Sequence, residues 1–195
     1  MSTLDERNVN PVEEMRRIAQ IVMDLASWGF TESYRSTKPG ELIYDSELCR
    51  ISLIWEGWDA LDGNSMSIRY GRLHAPDEKN TMFWNGEESR CWHRVEYPLH
   101  FLDGRAPAEA AKLDYSHAIK TAFNEDEVRK KLTRHQPDWL AQIHVTIWQR
   151  YGNRLFELFD LRKSELWQQY RQFLKEVYDI RGRNSAIRPS LDKVC

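Results

Sequence analysis

The chain has 195 residues, of which 41% are hydrophobic and 30% charged, and its formal net charge is −2. This length is enough to bury the core of one large domain, or of a domain with an appended subdomain. The composition excludes a collagen-like or fibrous protein, and 8 Trp, 8 Tyr and 7 Phe residues exclude a disordered chain.

The chain shows no sign of export or membrane insertion in its sequence. Residues 1–10 are polar and carry charges of both signs, which is not typical of a secretory signal. Charged residues interrupt every apolar stretch before the ~20 residues that a membrane helix needs. The three cysteines, Cys49, Cys91 and Cys195, are far apart and form no C-x-x-C pair. We therefore expect a cytoplasmic protein that does not bind a membrane.

The first predicted element is a helix. Asn10 is a typical N-cap residue, Pro11 suits the first helical position, and Glu13 completes a capping box. Apolar residues then recur at three- and four-residue spacing as far as Ala26, and Gly29 is placed to end the element.

After Gly29 the hydrophobic period changes to two, which predicts strands. The predicted strands cover residues 30–36, 41–44, 49–55 and 66–72, with one or two more within 81–84 and 89–101. Residues 59–65 form a predicted loop, and Pro98 favours an edge position for the last strand. One face of the third strand is expected to look into the core: Cys49, Ile51, Leu53 and Trp55.

Helical signals follow from Pro107 onward. We predict helices over about 124–134, 137–151 and 163–181, with a short piece at 153–159, and Gly152 and Gly182 as stops. The predicted fold class is α+β, with an N-terminal helix, an antiparallel sheet of about 5–6 strands and a C-terminal group of 3–5 helices. Residues 1–105 would form the helix and sheet, and residues 106–182 the helical part, packed on the sheet as one domain. A poorly ordered tail is expected at 183–195.

The near-neutral net charge conceals an asymmetry between two halves. Residues 1–123 contain 14 Lys+Arg and 20 Asp+Glu, whereas residues 124–195 contain 14 and 10. Either the two halves attract each other within one fold, or they meet different partners.

Tryptophan and carboxylate residues are concentrated in two segments of the acidic half. The candidate partner-binding residues are Trp55, Glu56, Trp58, Asp59, Asp62, Trp84, Glu87 and Glu88. Aromatic rings are common anchors of protein interfaces, and carboxylates attract basic partners. The leading hypothesis is a non-enzymatic module that holds a basic protein partner. The alternative is structural, with the rings capping the sheet and the acids keeping its surface solvated.

In layout and charge the chain resembles small bacterial immunity and antitoxin-like proteins. That resemblance implies an acidic sheet face or helix that covers the basic site of a toxin.

A second hypothesis is a small hydrolase or nuclease. Cys91, His93 and His100 would form its site, and His74, Cys91 and His93 are the alternative metal ligands. No C-x-x-C or H-x-x-x-H pair supports a metal centre, so structural roles are favoured and neither a metal nor another cofactor is predicted. His144, four residues before Trp148, is expected to pack on one helix face.

The sequence also offers features of nucleic-acid binding and of self-association. A basic run, Arg129, Lys130, Lys131 and Arg134, is better explained by complementation of a helix dipole than by nucleic-acid binding, which is not favoured. A homodimer held by Trp139, Trp148 and Trp167 is the third hypothesis.

Overall fold

The computed structural model describes residues 10–33, 40–59, 63–73, 92–113 and 137–183. The predicted strand at 81–84, the predicted helix at 124–134 and the predicted tail from residue 184 onward lie outside these ranges. Within them the fold is mixed α+β, with an N-terminal helix, a five-stranded antiparallel sheet and C-terminal helices, as the sequence predicts.

The N-terminal helix α1 spans Pro11–Arg17 and continues as a π-helical segment, Ile18–Val22. The Asn10 cap is confirmed, because the Val12 N–H donates to Asn10 Oδ1 at 3.1 Å. The prediction of a single α-helix to Ala26 is wrong, because the hydrogen bonding changes from α-helical to π-helical after Arg17. The Met23 N–H donates five residues back to the Ile18 carbonyl at 2.9 Å.

The five strands are connected in the order of the chain, so the sheet is a meander. They are β1 (Thr31–Glu32), β2 (Glu41–Asp45), β3 (Arg50–Asp59), β4 (Gly63–Gly71) and β5 (Trp92–Arg94). All neighbouring pairs are antiparallel. The loop predicted at 59–65 is shorter than expected, because both of its ends belong to β3 and β4.

One face of the sheet contributes to the main hydrophobic core. Tyr44, Ile51, Tyr70 and His93 form one row across four strands in the observed register. The core face predicted for the third strand is confirmed: Cys49, Ile51 and Leu53 are each 0% exposed and Trp55 is 9% exposed.

The opposite face of the sheet is also buried, although it carries polar residues. Arg50 is 2% exposed and its Nε donates to Asp45 Oδ1 at 3.0 Å. Ser52 is fully buried and its hydroxyl donates to Glu41 Oε1 at 2.8 Å. Antiparallel sheets commonly leave one face to solvent, whereas the described residues on both faces of β3 are buried.

The C-terminal part is helical. The helices are α2 (Glu96–Leu102), α3 (Pro107–Ala110), α4 (Pro137–Tyr151), α5 (Asn153–Glu157) and α6 (Ser164–Arg183). None of the described helices is long and apolar enough to cross a lipid bilayer.

The strand predicted within 89–101 is confirmed by β5, Trp92–Arg94, but its extension to Phe101 is wrong. Residues 96–102 form a helix, because Pro98 lies in the first turn of α2, where a missing N–H costs no helical hydrogen bond. Gly182 does not end the last helix, since α6 continues to Arg183. Gly152, by contrast, separates α4 from α5 with a φ of 57°, as its position predicts.

Arg181 connects the end of α6 to the preceding helices through hydrogen bonds and a ring contact. Its guanidinium donates to the Ala111 carbonyl at 3.1 Å and to the Leu113 carbonyl at 2.7 Å. It also donates to the Tyr97 hydroxyl and lies 5.3 Å from the centre of the Tyr97 ring. This one side chain therefore joins α6 to both α2 and the end of α3.

Candidate functional site

The described part of the predicted acidic surface lies at the far end of the β3–β4 hairpin. Glu56, Trp58 and Asp59 are in the last four residues of β3. Asp62, Trp84, Glu87 and Glu88 lie outside the described residues. Trp55 is only 9% exposed and belongs to the core cluster, so we assign its ring to packing and begin the candidate surface at Glu56.

The hairpin extends beyond the strand that flanks it. The register of β2 against β3 ends with Glu41 opposite Ile54, and the Trp55 N–H then donates to the Gly40 carbonyl at 2.8 Å. Beyond this point β3 pairs with β4 alone among the described strands, through Gly57 with Ser65, Trp58 with Asn64 and Asp59 with Gly63. We call this two-stranded extension, residues 56–59 and 63–65, the hairpin arm.

The arm begins at a β-bulge. The register of β3 against β4 shifts between Trp55 and Gly57, which leaves Glu56 as an extra residue on β3. A bulge of this kind bends the strand locally and increases its twist. Gly57 is the sequence signal for this irregularity, because an isolated glycine in a strand often marks a bulge.

The electrostatics of the arm follow from its sequence. Neither lysine nor arginine occurs between residues 51 and 68, whereas Glu56, Asp59 and Asp62 all fall within that stretch. A surface with an excess of acidic groups attracts basic surfaces and speeds their association.

The histidines of the enzyme hypothesis lie in the core. His93 is 5% exposed on β5, and its ring centre lies 5.6 Å from those of Phe159 and Trp167 and 5.4 Å from that of Tyr170. Burial lowers the pKa of His93 to about 4, so its ring is neutral near pH 7. No described residue is a hydrogen-bond partner of its Nε2 atom.

His100 is 1% exposed in α2, and burial lowers its pKa as well. His74 and Cys91 lie outside the described residues. Among the residues that the structure describes, no three His, Cys, Asp or Glu side chains are grouped so that they could hold a metal ion.

His144 packs beside Trp148, as the spacing predicts, but the contact includes a hydrogen-bond network that no sequence pattern indicates. The Tyr70 hydroxyl accepts from Trp148 Nε1 at 2.8 Å and lies 2.6 Å from His144 Nδ1. With Tyr70 donating to Nδ1, the imidazole proton is on Nε2. Burial lowers the pKa of His144 to about 3, so this histidine is a neutral part of the interface between α4 and β4.

The tryptophans proposed for self-association are mostly internal. Trp148 is 0% and Trp167 is 2% exposed, and both belong to the core cluster. They are therefore not available to a second copy of the folded chain, and that part of the homodimer hypothesis is wrong. The side chain of Trp139 lies outside the described part of the structure.

Comparisons with protein-family models, with curated proteins and with solved structures find no match for this chain.

Proposed function

We propose that this chain is a non-enzymatic protein-binding module that holds a basic protein partner through its acidic, Trp-containing hairpin arm. The observation that supports the proposal is the charge of the β3–β4 segment, because Glu56, Asp59 and Asp62 fall between residues 51 and 68, where neither lysine nor arginine occurs. The cytoplasmic location and the immunity-like role expected from the sequence belong to the same proposal.

The composition of the arm fits such a role. In the sequence of β3, Trp58 lies between Glu56 and Asp59, and Trp is among the residues most enriched at the energetic centres of protein interfaces. The carboxylates would attract a basic partner and disfavour acidic ones. Asp62, between the two strands in sequence, adds a third negative charge.

The proposal is tested by capture of partners from an extract of the native host. The full chain is compared with Trp58→Ala/Asp59→Ala/Asp62→Ala and with a control, Glu13→Ala/Glu165→Ala/Glu176→Ala, that removes exposed acids elsewhere. A basic protein should be retained by the wild type and the control but lost from the arm variant. Its affinity for the purified chain should fall as salt rises, since salt screens exposed charges.

Identical sets of captured proteins for the wild type and the arm variant would contradict the proposal. So would a partner whose affinity does not change with salt or with loss of the arm acids. Circular dichroism of each variant checks that the fold is retained.

The hydrolase or nuclease alternative receives less support. Its two described residues, His93 and His100, are 5% and 1% exposed, and a catalytic base must reach its substrate. Metal analysis of the purified chain and an activity screen with His93→Ala remain its direct tests.

A further inference from the structure

We draw no further inference here: the strongest candidate, the buried side chains of His93, Glu96 and His100 around the junction of β5 and α2, includes no three groups placed as metal ligands among the described residues and otherwise rests on the titration of buried groups alone.

Discussion

Acidification should destabilise this fold because two histidines are buried as neutral rings between the sheet and the helices. The pKa of His93 is lowered to about 4 and that of His144 to about 3, in both cases by burial. In the unfolded chain each returns to its ordinary pKa of about 6.5. The unfolded state therefore binds more protons than the folded state below about pH 6.5, and stability falls as the pH is lowered.

The magnitude follows from the same values. At about pH 5, some 1.5 units below the unfolded pKa and still above both folded values, each histidine costs about 2 kcal/mol relative to pH 7.5. The pair therefore costs about 4 kcal/mol, a large share of the roughly 5–15 kcal/mol by which domains are stable. His100 adds to the loss, since its pKa is lowered by burial too. The loss should level off below about pH 3, where both folded rings are protonated.

The assay is urea unfolding followed by tryptophan fluorescence across a series of pH values. His144→Gln keeps an acceptor near Tyr70 but cannot titrate, so about half of the decline attributed to the pair should disappear. Gln172→His places a histidine on the exposed face of α6 and should leave the pH dependence unchanged. The reasoning would be refuted by equal unfolding free energies at pH 7.5 and pH 5, or by a full pH dependence in His144→Gln.

Three substitutions test other parts of the structure by the same unfolding measurement. Tyr70→Phe leaves two buried ring nitrogens without their shared hydroxyl and should cost about 2–4 kcal/mol, whereas Tyr44→Phe removes a hydroxyl with no described partner and should be near neutral. Gly40→Ala forces an L side chain to a φ of 82° and should cost about 1–2 kcal/mol; an unchanged midpoint would contradict the strained turn. Asp45→Asn weakens the pair with buried Arg50 and should cost about 1–3 kcal/mol, and a stabilised variant would show that the ion pair does not support the fold.

Local signals account for the parts of the fold that the sequence predicts. The Asn10 cap, the strand alternation from Cys49 to Trp55 and the helix between Pro137 and Gly152 all depend on residues close in sequence. The helix α2 is not predicted because Pro98 fits two structures equally well in the sequence. A proline is tolerated both in the first turn of a helix and on an edge strand.

The features of the candidate site are harder to predict from the sequence, because they depend on contacts between distant residues. The acidic residues near the end of β3 are visible in the sequence, but the hydrogen bond between Trp55 and Gly40, at the end of the pairing of β2 with β3, joins different parts of the chain. The bonds of Tyr70 with His144 and Trp148 join residues 74 and 78 positions apart, beyond any periodic pattern. The burial of Trp55, which removes it from the surface, likewise depends on tertiary packing.

The polar pairs on the second face of the sheet also fix the alignment of β3. Arg50 and Ser52 alternate with Ile51 and Leu53, so a slip of one residue against β2 would turn a guanidinium and a hydroxyl into the apolar core. The Glu41 carboxylate would lose the Ser52 hydroxyl in the same step. Alternative alignments are thereby penalised, and the alignment that remains sets how many residues of β3 extend past Gly40. The buried polar pairs near the start of β3 thus determine how far the other end of this strand continues past Gly40.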